Sequence, residues 1–288
     1  LFGILGIAVA ILVQSLNVGI ANFALIIGLY WLLTPALMCK ISKANKEIKA
    51  VEKIDESEKK YLQEVAYRTW LYFKENLTQK SNFLPPDNYQ EDRKPKVVMR
   101  TSSTNIGLAL LAVMASYDLK FENLEDTLNL LYKMLETISG LTKWNGHLYN
   151  WYNIETLEPL IPKYVSSVDS GNFVGYLYVL KQFLIEKREN KNDEIYQNLS
   201  SEEKEQNVQI TPDVLNKIDF MINVTDSLIN NTDFSKLYDS ENRLFSIGFN
   251  VEENKLTDSY YDLLASEARQ TSLVAIAKKD ITEKHWYN

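Results

Sequence analysis

The sequence predicts a mainly α-helical protein whose helices form part of an α/α toroid, preceded by a membrane segment. One observation is an N-terminal apolar run long enough to cross a lipid bilayer. A second is that the rest of the chain carries segments with apolar residues at helical spacing. The third is that strongly apolar segments alternate with amphipathic ones, as expected when buried inner helices are ringed by outer helices. An irregular helical bundle is the alternative fold.

The apolar run covers residues 18–38. As a helix rising about 1.5 Å per residue, it would span roughly 30 Å, the thickness of a bilayer core. Residues 1–13 are also apolar but too short to span alone, and we expect them to end a preceding membrane helix, with a turn at 14–17. A buried core helix and a signal peptide are the alternatives. A signal peptide would need a basic start and a small-residue cleavage site, which the sequence lacks.

These features predict three parts: transmembrane segments at 1–39, a basic juxtamembrane linker at 40–56 and a helical domain at 57–288. By the positive-inside rule, lysines in the linker predict that the chain from about residue 40 onward faces the cytoplasm. The four lysines that carry this prediction are Lys40, Lys43, Lys46 and Lys49.

The helical domain is predicted to contain six helices. The strongly apolar ones lie at 103–117, 170–186 and 261–278, and the amphipathic ones at 57–77, 124–138 and 212–229. Pro212 stands at the first helical position, which proline favours. A charged stretch at 188–209 has few apolar residues and predicts a solvated insertion. Six helices make three inner–outer pairs, so a toroid of six pairs would be half present.

Composition and motifs limit the function. The net charge of −7 comes without a basic stripe, so nucleic acid is not an expected partner. The single cysteine, Cys39, cannot form an internal disulfide or a zinc site. The sequence has no phosphate-binding glycine loop, no metal-ligand cluster and no Ser/His/Asp order of known type. We therefore expect no cofactor in this segment, and any chemistry must use carboxylates or lie outside this chain.

A run of hydroxyl residues leads into the first inner helix. Arg100 is followed by four consecutive Ser or Thr residues at 101–104 and then by Asn105. Helix capping explains one or two such residues, so capping and ligand contact both remain open for the others. The candidate binding residues here are Arg100, Thr104 and Asn105.

The segment 143–152 alternates aromatic and polar side chains and predicts a long ordered loop or a short hairpin. Aromatic rings can stack on sugar faces while amides bind sugar hydroxyls, which favours a saccharide-binding surface. The alternative is a packed loop with its aromatics in the core. His147 is a possible general base, although a lone histidine is more often structural. The candidate residues are Trp144, Asn145, His147, Tyr149, Trp151 and Tyr152.

Polar residues also mark the starts of the other two inner helices. Asp169 is expected to cap the second inner helix, with Asn172 in its first turn facing the same opening. Glu267 and Arg269 lie in the predicted third inner helix, where a buried carboxylate would need a partner. Asp169 and Glu267 are the reserve candidates for catalysis.

Six blocks of this sequence resemble the cyclic β-1,2-glucan synthases, and they extend over most of the helical domain. The blocks are TSSTNIGL at 101–108, WNGHLYNWY at 144–152, TLEPL at 156–160, YVSSVDSGN at 164–172, YDLLASEAR at 261–269 and KHW at 284–286. The resemblance implies that the toroid is glucoamylase-like, an incomplete (α/α)6 barrel.

The resemblance further implies a very large protein of the bacterial inner membrane, of which this chain would be a piece. An upstream glycosyltransferase would use UDP-glucose, a middle glucoamylase-like domain would close the glucan into a ring by transglycosylation, and a phosphorylase-like domain would follow. This chain would hold the last membrane helices and the first half of the middle domain. Its partners would be the β-1,2-glucan chain, the lipid bilayer and those neighbouring domains.

Ring closure that retains the β-linkage uses two carboxyl groups about 5–5.5 Å apart. The resemblance implies that the catalytic glutamates follow the block that contains His285 and Trp286. This segment would then supply substrate-binding surface and be inactive alone. A non-catalytic, membrane-tethered glucan-binding module and a hydrolase resembling endo-β-1,2-glucanases are the alternatives.

Overall fold

The computed structural model describes residues 18–42, 54–189, 211–263 and 266–287. The chain divides into two compact units, Leu1–Lys59 and Lys60–Asn288. The expectations for residues 1–17, for the linker lysines from Lys43 to Lys49 and for most of the insertion at 188–209 lie outside the described residues.

The first unit contains helix α1, Val18–Ser42. It encloses the apolar run at 18–38, and the segment Leu25–Ser42 has a mean hydropathy of 1.6. By length and composition this segment could cross a membrane. The predicted helix is therefore confirmed, and its insertion in a bilayer stays a prediction.

The second unit is mainly helical, as predicted. Its helices are α2 (Glu56–Asn76, which begins four residues before the unit), α3 (Ser103–Asp118), α4 (Leu124–Gly140), α5 (Ser167–Glu189), α6 (Pro212–Asn231) and α7 (Arg269–Ala277). Helix α5 packs against α3, α6 and α7, and α4 packs against α3 and α6. Helices α3, α5 and α7, whose apolar residues are not confined to one face, thus form a neighbouring row flanked by the amphipathic α4 and α6. Of the three, only α3 is more apolar overall than α4 and α6, so the strongly apolar character predicted for the other two is wrong.

Short antiparallel strands pair into small sheets around the helix starts. β1 (Arg100–Thr101) pairs with β4 (Tyr152–Asn153), and β2 (Lys143–Trp144) pairs with β3 (His147–Leu148). A three-stranded sheet has the order β5 (Tyr164–Ser166), β8 (Gly248–Asn250) and β9 (Lys255–Leu256). β6 (Tyr238–Asp239) pairs with β7 (Leu244–Phe245). Because β1 leads into α3 and β5 leads into α5, the sheets fix where these two helices begin.

The prediction of a last inner helix over 261–278 is wrong in its first part. Helix α7 begins at Arg269, and Glu267 lies exposed before it. The preceding segment is held in extended pairing: Ile247 N–H donates to the Ser259 carbonyl at 2.9 Å, and Tyr261 N–H donates to the Phe245 carbonyl at 2.9 Å. These hydrogen bonds hold residues 259–261 in extended backbone beside residues 245–247, which is incompatible with helical backbone angles there. Local apolar spacing cannot reveal this pairing.

The predicted start of the second inner helix is also corrected. Helix α5 begins at Ser167, and the Ser166 hydroxyl accepts the Asp169 backbone N–H at 3.2 Å. Asp169 therefore lies inside the first turn and does not cap the helix. A carboxylate in the first turn still interacts favourably with the helix dipole.

Candidate functional site

The N-terminal ends of α3 and α5 meet at one end of the second unit. Asn172 Nδ2, in the first turn and a half of α5, donates to Thr104 Oγ1 in the first turn of α3 at 3.3 Å. Asp169 and Asn172 are three residues apart and share one face of α5. All three side chains are half-buried, so each keeps a surface open to a ligand.

The hydroxyl run at 101–104 divides into different roles. Ser102 caps α3, because its Oγ accepts the Asn105 N–H at 3.2 Å. Thr104 contacts Asn172, whereas Thr101 and Ser103 are buried. Of the four hydroxyls, the structure thus places Thr104 where a ligand could reach it.

Asp87 organises the residues around the start of α3. Its Oδ2 accepts hydrogen bonds from Arg100 Nε at 3.1 Å and from Arg100 Nη2 at 3.0 Å. Its Oδ1 accepts from Asn105 Nδ2 at 3.3 Å. The Arg100 guanidinium also lies over the ring of Trp151, 4.1 Å from the ring centre. A guanidinium carries five N–H donors, and the side chain of Arg100 is 44% exposed, so donors remain for a ligand.

Sequence reasoning missed Asp87. The segment around it was predicted only as a loop, because prolines at 85, 86 and 95 mark turns. Turn residues by themselves do not indicate which side chains take part in a site. The Pro-Pro-Asp-Asn pattern alone indicates a turn. What singles out Asp87 is that two nitrogens of Arg100, thirteen residues later, donate to its Oδ2.

A second polar group surrounds Tyr261, near the start of α7. Burial raises the pKa of Tyr261 to about 12, with smaller contributions from Glu267, Tyr164 and Asp169. The neutral Tyr261 hydroxyl donates to Glu267 Oε1 at 3.5 Å. Arg269 points elsewhere, because its Nε and Nη2 donate to the Leu263 carbonyl at 3.3 and 3.2 Å. Asp169 makes the smallest of these contributions to the pKa of Tyr261.

The aromatic segment forms a short hairpin. Asn145 and Gly146 link β2 to β3 with φ values of 46° and 81°, the type I′ turn that an Asn-Gly pair favours. The Asp233 N–H donates to the Asn145 carbonyl at 3.1 Å, which holds the turn against the end of α6. Trp144 stacks on Phe249 with ring centres 4.1 Å apart. The hairpin turn thus contacts α6 and β8, and these contacts involve none of the residues at the start of α3.

Three of the predicted binding residues lie in the interior. His147 is 1% exposed, and Tyr149 and Tyr152 are also buried. The Tyr152 hydroxyl donates to the Thr142 carbonyl at 2.6 Å and accepts the Tyr149 N–H at 2.8 Å. These side chains pack the base of the hairpin, so the case for a ligand surface rests on the more exposed candidates.

His147 is held neutral by its surroundings. Its Nε2 donates to the Asp233 carbonyl at 2.9 Å, and its ring meets the edge of Phe234. Burial lowers the pKa of His147 to about 4. A buried imidazole with its proton donor already engaged is suited to a structural role.

The described residues contain no group of three or more His, Cys, Asp or Glu side chains that could hold a metal ion. What the α3–α5 end offers instead is a carboxylate, two amides, a hydroxyl and a guanidinium beside an indole ring. Such a set suits a neutral, hydroxyl-rich ligand, because both donors and acceptors are present and an apolar face is available.

The sequence is 30% identical to the cyclic β-(1,2)-glucan synthase NdvB of Rhizobium meliloti, over an alignment of 370 residues. That alignment takes in 94% of this chain and 13% of the synthase. No protein-family model matches the sequence.

Solved structures show the same fold. A glucoamylase-like protein from Bacteroides caccae has a TM-score of 0.60 at 15% identity, over 79% of this chain and 50% of that protein. The endo-β-1,2-glucanase from Chitinophaga pinensis has a TM-score of 0.59 at 12% identity, over 79% of this chain and 49% of the enzyme. At these identities the likeness shows the fold, and it confirms the predicted glucoamylase-like α/α architecture.

Proposed function

Because this chain is homologous to part of a cyclic β-(1,2)-glucan synthase, we propose that it supplies glucan-binding surface to the domain that closes β-1,2-glucan into a ring. The glucan would be built from UDP-glucose by a glycosyltransferase domain of the same enzyme. The chain would thus belong to a glycosyltransferase with transglycosylase activity, and its ligand would be the glucan itself.

The observation that carries this proposal is the hydrogen bond between Asn172 and Thr104, which joins the N-terminal ends of α3 and α5. Around this contact lie Asp169, Asn105 and the exposed part of Arg100. Carboxylate, amide and guanidinium groups can each bind sugar hydroxyls, and the indole of Trp151 offers an apolar surface to a sugar ring. A glucan lying across this end would meet all of them.

Bond exchange would need two further groups. Retaining transglycosylation uses one carboxylate as nucleophile and one carboxyl group as acid and base. We propose that these are glutamates in the part of the enzyme that follows His285 and Trp286. Asp169 and Glu267 remain reserve candidates, and under the main proposal this chain binds glucan without catalysing the exchange.

The first unit would act as the anchor. Helix α1 would cross the bacterial inner membrane, and the lysines that begin with Lys40 would keep the second unit on the cytoplasmic side. There the glucan-binding end would lie between the proposed glycosyltransferase and phosphorylase-like domains. The apolar segment Leu25–Ser42 supports this arrangement by its length and composition.

Asp169→Asn is expected to reduce cyclic β-1,2-glucan production from UDP-glucose by about tenfold or more in the complete enzyme. The change removes the charge that a sugar hydroxyl would donate to, and a hydrogen bond to a charged group contributes about 1.5–3 kcal/mol. The measurement is the amount of cyclic product, separated from linear glucan by chromatography.

Asp213→Asn is the matched control, because Asp213 is an exposed carboxylate in the first turn of α6. It loses the same favourable interaction with a helix dipole and should leave cyclisation unchanged. Equal cyclisation by both variants would refute the assignment of Asp169. If cyclisation survived deletion of residues 100–288, this chain would be a membrane-tethered glucan-binding module that ring closure does not require. Release of short linear glucans would indicate a hydrolase.

A further inference from the structure

A cavity of about 450 Å³ lies between α2, the loop at 85–89 and the first turns of α3. This volume falls within the range of about 300–1,000 Å³ that small-molecule sites occupy. The side chains that define its walls are Tyr72, Phe73, Asp87, Tyr89, Asn105 and Leu108. None of them except Asn105 belongs to the binding residues named from the sequence.

Apolar and aromatic surfaces of this cavity are open to solvent. Tyr89 is 49% exposed and Leu108 is 42% exposed. Leu108 and Asn105 are three residues apart, so they project from the same face of α3. An exposed ring and an exposed leucine beside polar groups suit the C–H face of a sugar ring, because burying apolar area from water is favourable.

Asp87 and its neighbours supply the polar side of the cavity. Asp87 is held by Arg100 and Asn105, and the Tyr72 hydroxyl donates to the Pro86 carbonyl at 2.9 Å. Burial and the charge of Asp87 raise the pKa of Tyr72, which keeps its hydroxyl protonated. Asp87 Oδ2 already accepts from Asn88 and Arg100, whereas Oδ1 accepts only from Asn105, so Oδ1 is the atom that can accept from a sugar hydroxyl.

The cavity adjoins the proposed glucan-binding end through Asn105. Asn105 lines the cavity, and its neighbour Thr104 contacts Asn172 on α5. The guanidinium of Arg100 pairs with Asp87 in the cavity wall and also lies over the ring of Trp151. A chain bound across the ends of α3 and α5 could therefore extend from Thr104 to Asn105 and into this cavity.

We propose that this cavity is a second subsite that binds a glucosyl unit of the same β-1,2-glucan chain, with Tyr89 and Leu108 against the sugar face and Asp87 and Asn105 at its hydroxyls. This inference rests on the proposed function, since it names a further part of the same binding surface. It assigns binding roles to Tyr89, Leu108 and Asp87, and Asp87 also positions Arg100 and Asn105 through its hydrogen bonds.

The test is a calorimetric titration of the 288-residue chain in detergent with linear β-1,2-linked glucooligosaccharides. Tyr89→Ala is expected to weaken binding at least about fivefold, since an aromatic contact of this kind contributes about 1 kcal/mol. Tyr89→Phe keeps the ring and should bind within about twofold of the unaltered chain. Tyr61→Ala is the matched control, because Tyr61 is a 69% exposed tyrosine on α2 outside the cavity wall.

The outcomes separate this inference from the proposed function. Binding by Tyr89→Ala that equals the control, together with weaker binding by Asp169→Asn, would overturn the second subsite and leave the proposed function in place. Weaker binding by Tyr89→Ala with no effect of Asp169→Asn would support the subsite and contradict the role of Asp169. If the unaltered chain did not bind these oligosaccharides, both would be overturned.

Discussion

Gly146→Ala is expected to lower the free energy of unfolding of the second unit by about 3 kcal/mol or more. Gly146 has φ +81°, and an alanine held in this left-handed region costs roughly 1–2 kcal/mol. The added Cβ would also lie 2.0 Å from the Asn231 carbonyl oxygen and 2.6 Å from the Thr232 nitrogen. Both are backbone atoms at the end of α6, so the hairpin would have to move, which adds about 1–3 kcal/mol. Guanidinium-induced unfolding followed by tryptophan fluorescence would measure the change.

Gly140→Ala provides the control for that experiment. Gly140 is the last residue of α4, and a Cβ there would meet no atom within 4 Å. Alanine at this position should be neutral or stabilising by up to about 1 kcal/mol, because glycine is the less favourable helix residue. Similar losses of stability in the two variants would mean that the hairpin does not dock on α6 as the structure shows.

Acidification is expected to destabilise the second unit through His147, by up to about 3 kcal/mol between pH 6.5 and pH 4. Above pH 6.5 the imidazole is neutral in both the folded and the unfolded chain. Between pH 6.5 and about 4 only the unfolded chain binds the proton, so stability falls as the pH falls. The gap between the two pKa values sets the size of the effect, since one pH unit corresponds to about 1.4 kcal/mol.

The measurement compares the free energy of unfolding against pH for the unaltered chain and for His147→Gln. Glutamine keeps an N–H that can donate to the Asp233 carbonyl, and it does not titrate in this range. Carboxylates affect both proteins equally, so the difference between the two curves belongs to His147. Parallel curves from pH 6.5 to pH 4 would show that His147 is protonated in the folded chain or reaches solvent.

These two experiments address the aromatic hairpin. The sequence predicts its shape, but three of the side chains predicted to bind a ligand are buried in the interior. The sequence predicts a long ordered loop or a short hairpin at 143–152, and the structure has the hairpin, with its turn at 145 and 146. The alternation of aromatic and polar residues is also what a two-residue hairpin produces when one face is buried. Local sequence could not separate a binding surface from a packed hairpin, because the deciding contacts come from Asp233 and Phe249, about 90 or more residues later.

The helices were predicted well where local rules decide them. Pro212 opens α6 after a Thr211 cap, as expected from its position. The predicted start of α7 is wrong because residues 259 and 261 pair with residues 247 and 245. Asp87 was missed for a related reason: its importance lies in three hydrogen bonds to Arg100 and Asn105. Periodicity and capping describe neighbours along the chain, whereas the candidate site is made by contacts between distant segments.

The start of α5 depends on residues that leave the ribosome much later. The Ser167 hydroxyl donates to the Ser246 carbonyl, 79 residues away, and the Thr271 hydroxyl donates to the Ser167 carbonyl, 104 residues away. Contacts at such separations form late, because closing a long loop costs entropy before any contact is gained. The pair α3 and α4, which adjoin in sequence, can associate while the chain is still being made. We therefore expect the ends of α3 and α5 to take up their final arrangement only after residue 271 has been synthesised, so the proposed glucan-binding end matures late.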